Sequence, residues 1–355
     1  MLSKPTTFIL GAGASVDFGF PTGATLQSQV AQCLAVDDRR QFRDSVITDA
    51  IEYHNNKTQR PNDAGYYINA AKRIVEGMPI AGSIDNFLHT HSTDQYIVAL
   101  GKLAIARLIL KSERDLKVST DSTVGDVSTL LTTQNYSDSW YSPFIRMLTT
   151  GTQSDQPADL FKNVRFVVFN YDRCLEHVLL LALQGNFGLR LDAAHEVLSG
   201  IEIIHPYGSL GSINSKATEY VPFGADRIDL FSISQGIQTF TESVNASTVE
   251  RAKQSVATAD RLVFMGFGFL PQNMDLLAPR GMQSATRIHS TTLGISSSDK
   301  SIVKEQLKRF VRSSPVPSIA PVEDVINDSD AWGYIDVKNE GCRDLIQNHR
   351  FRLTA

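Results

Sequence analysis

The chain has 355 residues, 42% hydrophobic and 20% charged, with a formal net charge of -4. That balance belongs to a folded globular protein, and it excludes both a disordered chain and global attraction to nucleic acid or anionic membrane. Its three cysteines, Cys33, Cys174 and Cys342, form no Cys-x-x-Cys pair, so neither a disulfide framework nor a structural zinc site is expected.

Residues 6 to 10 read as a short buried strand that runs into Gly11-Ala12-Gly13-Ala14-Ser15. A helix is expected from the N-cap Thr22, with Leu26, Val30, Cys33 and Leu34 on one apolar face. From 36 to 159 the pattern is helical, with a polar loop over 118–139. So long a connection between parallel strands exceeds a single crossover helix, which predicts an inserted helical domain. The stretch "VRFVVFNYD" (164–172) is the next strand, followed by a helix with Leu175, Val178, Leu179, Ala182 and Leu183 on one side. Further strands are expected within 201–211, 261–269 and 286–294, with helical patterns at 231–258 and 298–312. This alternation predicts an α/β fold with a Rossmann-like, mostly parallel sheet built from residues 1–35 and 160–312. Residues 313–355, proline-rich at "SSPVPSIAP", are expected to form a C-terminal appendage. No stretch reaches the ~20 apolar residues that span a bilayer, and no leader is expected, which points to a cytoplasmic protein.

Ligands of open parallel sheets bind beyond the carboxyl ends of the strands, where four of these loops fall. Gly11, Ala12, Gly13 and Ser15 form a turn that lets backbone approach a pyrophosphate, although Val16 replaces the third glycine of a dinucleotide fingerprint. Asn170 and Asp172 end the second strand, where a carboxamide and a carboxylate can hold a polar ligand. Their bland roles are turn chemistry for Asn170 and a helix cap for Asp172. His205 ends the third strand and titrates near physiological pH, though a lone histidine is more often structural. Gly266 and Gly268 end the fourth, with close backbone approach to a ribose or phosphate set against simple packing on the first loop. Lys300, Lys304, Lys308 and Arg312 read as a solvated helix face, and His54, His89 and His91 lack metal-ligand spacing.

Taken in order, "GAGAS", "FNYD", "IHPYGSL" and "GFGF" resemble the sirtuin superfamily across roughly residues 6 to 300. The four-cysteine zinc ribbon is missing, and the turn continues "FPTGATL" instead of the sirtuin Pro-Asp-Phe-Arg. With "SIDNFL" (83–88) in the insert, the chain is similar to the sirtuin-like domains of bacterial anti-phage proteins. The resemblance implies an NAD hydrolase that splits the nicotinamide–ribose bond. It assigns Asn170 to the attacking water and ribose, His205 to proton abstraction and Asp172 to the nicotinamide carboxamide. Gly11, Ala12, Gly13 and Ser15 would cradle the pyrophosphate, with Gly266 and Gly268 on the adenosine side. It further implies NAD as substrate, no zinc, a homo-oligomer, and activation by an infection cue or a partner such as a DNA-translocating ATPase. No direct nucleic-acid contact is expected. The alternatives are an NAD or ADP-ribose sensor without turnover, an NAD-dependent protein deacylase, and a dehydrogenase. The last is weakened by the missing third glycine and ribose-binding acid.

Overall fold

Six strands pair in parallel into one sheet in a computed structural model that describes residues 2–60, 63–120, 129–226, 228–239, 245–278, 285–311 and 334–355. Strand β1 (Thr6–Leu10) is followed by two 3-10 turns (Ala12–Ala14 and Val16–Phe18) and helix α1 (Gly23–Cys33). A helical stretch follows: α2 (Ser45–Lys57), α3 (Ala64–Gly77), α4 (Ile84–Thr90), α5 (Gln95–Thr120), α6 (Gln134–Asp138) and α7 (Tyr141–Thr149). The sheet resumes with β2 (Val164–Val168), α8 (Cys174–Phe187), α9 (Leu191–Ser199), β3 (Glu202–Ile204), α10 (Leu230–Ser234), α11 (Ala246–Ala257) and β4 (Arg261–Met265). The chain closes with α12 (Pro271–Leu277), β5 (Arg287–Thr291), α13 (Ser297–Leu307), β6 (Tyr334–Lys338) and α14 (Cys342–Thr354).

The strand order is β3-β2-β1-β4-β5-β6, the Rossmann order with its switch point between β1 and β4. β1 lies at the centre and is buried at every residue, with Phe8, Ile9 and Leu10 apolar and the Thr6 and Thr7 hydroxyls donating to the Lys4 and Ser255 carbonyls. Its side chains alternate between the faces. Phe8 and Leu10 enter a core shared with the helical stretch, and Ile9 enters a second core with Val256, Leu277 and Leu307. Phe144 of α7 packs edge-on against Phe8 at 5.1 Å, so the inserted helices and the sheet share one apolar layer.

α1 begins behind Thr22, whose side chain accepts from the Thr25 amide, and buries Leu26, Val30 and Cys33 as the pattern predicts. Part of the stretch expected as a loop over 118–139 is helical, because α5 runs to Thr120 and α6 is capped by Thr133; residues 121–128 lie outside the described residues. Arg312 of the basic helix face also lies outside them, and Lys308 pairs with Glu305. The expected appendage differs most. Its described part supplies edge strand β6, parallel to β5, and α14, which buries Leu345, Ile346 and Leu353. Residues 313–333 lie outside the description. Among the described residues no helix is long and apolar enough to cross a membrane.

Candidate functional site

At the switch point the loops after β1 and β4 lie against each other. The Gly11 amide donates to the Met265 carbonyl and the Gly13 amide to the Gly266 carbonyl, both at 3.0 Å. A Cβ on Gly11 would sit 2.5 Å from the Gly266 oxygen, and one on Gly13 2.8 Å from its Cα. Gly266 has a φ of +58°, and its amide donates to Thr291 Oγ1 of β5. The packing role anticipated for these glycines is therefore present, and it commits the Gly11 and Gly13 amides to backbone partners. Gly268 has open space where a Cβ would stand, and the next residue, Phe269, takes a positive φ of 51°. Ala12 starts the first of two 3-10 turns that separate the glycine turn from α1. Trp140, at the start of α7, donates its indole N–H to the Ala14 carbonyl at 2.7 Å and ties the insert to this loop.

Beside the glycines, three segments bring polar side chains together. Ser15 Oγ donates to Asp172 Oδ1 at 3.0 Å and accepts from Asn170 Nδ2 at 3.1 Å. Asp172 Oδ1 also accepts from the Cys174 amide at 3.1 Å, so the expected capping role and the bridge to the first loop coexist. Asn170, Asp172 and Ser15 are all buried. Asn170 Oδ1 has no hydrogen-bond partner, an orphaned acceptor at a strand end.

His205, just past β3, joins this cluster through the main chain. Its Nδ1 lies 3.1 Å from the Asn170 carbonyl and its Nε2 2.8 Å from Glu176 Oε1 on α8. A carbonyl only accepts, so Nδ1 carries a hydrogen, and a carboxylate at Nε2 favours a second one. Burial, the largest influence, pulls the imidazole down, but the Glu176 carboxylate and the Asn170 carbonyl outweigh it and leave His205 above its ordinary value. Burial likewise pushes Glu176 up, and the facing imidazole outweighs it and holds the carboxyl low. Both ring nitrogens are thus engaged within the protein.

Burial pushes the Asp172 carboxyl up from 3.8 to about 6, against the hydrogen bonds from Cys174 and Ser15. The folded state holds this proton more tightly than the unfolded chain. Its stabilising contribution is therefore complete below about pH 4 and lost as the pH rises through about 6. Asp172→Asn keeps an acceptor for Ser15 and removes the titration. The wild type should then lose several degrees more of melting temperature than the variant between pH 4 and 7, and equal slopes would show that the carboxyl is not raised.

Several site residues were not among the candidates chosen from the sequence. Asp85, at the start of α4, accepts from Tyr171 Oη at 2.6 Å, which puts the "SIDNFL" segment over the second strand end. Tyr207 Oη donates to Asn273 Oδ1 at 2.7 Å, linking the third and fourth loops. Arg173 is enclosed, with Nε donating to Glu113 Oε1 of α5 at 3.0 Å, Nη2 donating to Oε2, and Nη1 donating to the Val221 carbonyl. Glu176 stands four residues after Asp172 on the first turn of α8, a spacing that could have flagged it. Glu113 lies 60 residues from Arg173 and no local pattern joins them. Two surface clefts, one beside Arg73, Asp94 and Tyr96 and one beside Ser142, Arg146 and Arg343, include none of these residues.

No protein-family model and no curated protein matches the chain. Among solved structures, one described as a complex of a Sir2 homologue with NAD aligns at a TM-score of 0.39 and 11% identity, over 99% of this chain and 91% of that one.

Proposed function

We propose that the chain hydrolyses NAD at the bond between nicotinamide and ribose, releasing nicotinamide and ADP-ribose. The observation that carries this reading is the gathering of Ser15, Asn170, Asp172 and His205 beside two glycine loops at the switch point of a parallel sheet, the place where such folds take dinucleotides. The order of the four motifs, similar to that of sirtuin-like defence domains, adds to it.

In this mechanism water forms the new bond to the anomeric carbon as the bond to the pyridine nitrogen breaks, and the electron pair leaves with nicotinamide. The transition state resembles an oxocarbenium ion, so positioning and electrostatics supply most of the rate. Asn170 Oδ1 holds the attacking water against the ribose, and Asp172 accepts from the nicotinamide carboxamide. His205 takes the proton of the water or of a ribose hydroxyl once Glu176 has swung away with the proton now at Nε2. The loops at Gly11–Ser15 and Gly266–Gly268 flank the diphosphate and adenosine. Because the polar side chains are buried, the segments around Asp85 and Tyr171 must part for substrate to enter. That requirement suits an oligomeric enzyme held closed until an infection cue or a partner ATPase opens it.

Incubation with NAD, with and without the product of the neighbouring gene, should release nicotinamide and ADP-ribose in equal amounts on chromatography. Full turnover by both Asn170→Ala and His205→Ala would remove those residues from the mechanism. The engagement of both His205 nitrogens favours a second reading, in which the site binds NAD or ADP-ribose as a signal without cleaving it. Saturable NAD binding by calorimetry, with no nicotinamide released in either mixture, would establish that reading in place of the first.

A further inference from the structure

We propose that His289, Asp336 and His349, with Glu340 beside them, bind one divalent transition-metal ion of the zinc type that fastens β6 and α14 to the sheet. His289 on β5 and Asp336 on β6 are register partners, so their side chains stand side by side on one face. α14 lays His349 over them, with the two imidazole rings 4.6 Å apart. One ligand atom from each of these three buried residues falls within 4.8 Å of the others. The group lies at the edge of the sheet remote from Asn170 and His205, separated from β2 by β1 and β4.

The spacing is that of ligands around a shared ion. His349 Nε2 is 3.6 Å from Asp336 Oδ2 and 3.4 Å from Glu340 Oε1. Charge-assisted hydrogen bonds close to about 2.7–2.9 Å. Neighbouring ligands on a tetrahedral ion with bonds near 2.1 Å stand about 3.4 Å apart. Beside them Glu340 Oε1 is buried with no hydrogen-bond partner. Two imidazoles and the Asp336 carboxylate form a nitrogen and oxygen set that suits zinc, iron or manganese, and Glu340 alongside helps neutralise a double positive charge. Lys338 and Arg352 approach Asp336 at 3.3 and 4.0 Å, but both side chains are 53% exposed and can turn to solvent as the ion enters.

The ion would act on the architecture behind the glycine loops. Two residues beyond His289, Thr291 accepts from the Gly266 amide, and Cys342 at the start of α14 approaches the Gly13 carbonyl. The ion would add to the pairing with β5, the buried Leu345, Ile346 and Leu353, and the Arg261 hydrogen bonds to the Leu353 and Ala355 carbonyls that also hold β6 and α14.

The test uses the full chain stripped with EDTA and titrated with Zn2+ by calorimetry, with melting followed in parallel. One Zn2+ per chain is expected, with a rise of several degrees in melting temperature. Asp336→Asn and His349→Gln should each weaken binding at least tenfold, whereas Cys342→Ser should bind as the wild type does. Absence of saturable binding, or affinity unchanged in both folded variants, would overturn the proposal. If circular dichroism shows that either variant fails to fold, Co2+ added to the wild type decides. A visible four-coordinate band without thiolate charge transfer supports the site, and a thiolate band or no spectral change rejects it.

Discussion

Nicotinamide release from NAD should fall at least about 100-fold on Asn170→Ala, the magnitude that follows loss of one preorganised polar group at a centre of developing charge. Asn170 lies just beyond β2, with its side chain fixed by donation to Ser15 and its oxygen left to a ligand. Truncation removes one buried hydrogen bond, worth ~1 kcal/mol, so folding should change little. For a chain of this length that corresponds to about 2 °C in melting temperature. The contrast between a large rate effect and a small melting shift is the signature sought, read from initial rates and melting curves on the same preparations. A melting drop of similar size with unchanged turnover would make Asn170 a structural strut alone. Binding measured by calorimetry should persist in the variant, because the glycine loops and Asp172 remain.

Glu113→Ala should produce the largest loss of stability, about 3–5 kcal/mol, because it strands a buried guanidinium. The Arg173 and Glu113 side chains are 1% and 0% exposed, and the Gly224 amide adds a further hydrogen bond to Glu113 Oε2. Removing the carboxylate takes the partner of Arg173 Nε and leaves Nη1 with the Gly211 and Val221 carbonyls and Nη2 with that of Pro222. A fall of about 6–10 °C in melting temperature is expected. Replacing both partners with apolar residues, Glu113→Leu with Arg173→Met, should recover most of the loss, since no buried charge then lacks a partner. A single substitution that melts like the wild type would show that solvent reaches the pair. Because Arg173 directly follows Asp172, the single variant should also blunt turnover through the position of that strand end.

The central sheet was legible because burial on both faces writes short apolar runs, as in Phe8–Leu10 and Leu262–Met265. β6 was not, because "YIDVK" is a five-residue edge strand with ordinary alternation, preceded by a proline-rich stretch that reads as the end of the fold. Asn170, Asp172 and His205 could be chosen because polar residues at strand ends stand out against apolar neighbours, and the structure brings them together with Ser15. Their partners were hidden for a different reason. Glu176, Asp85 and Trp140 lie on helices whose approach to the loops is set by packing. Trp140 has nothing in its own segment to set it apart from a core aromatic, and the spacing of Glu176 and the segment around Asp85 do not say which loop each meets. The packing of the two glycine loops was one of two open readings, and the sequence could not choose because one Gly-Ala-Gly serves either a phosphate or a neighbouring backbone.

The first strand has consequences for biosynthesis. Thr6 pairs with Val164 on one side and Arg261 on the other, so this buried central strand leaves the ribosome long before either neighbour exists. Closing such distant contacts is slow, and a stranded edge of this kind invites association between nascent chains. Fragments ending before residue 164 should aggregate, and full-length yield should respond to holdase chaperones more than to cofactor supply.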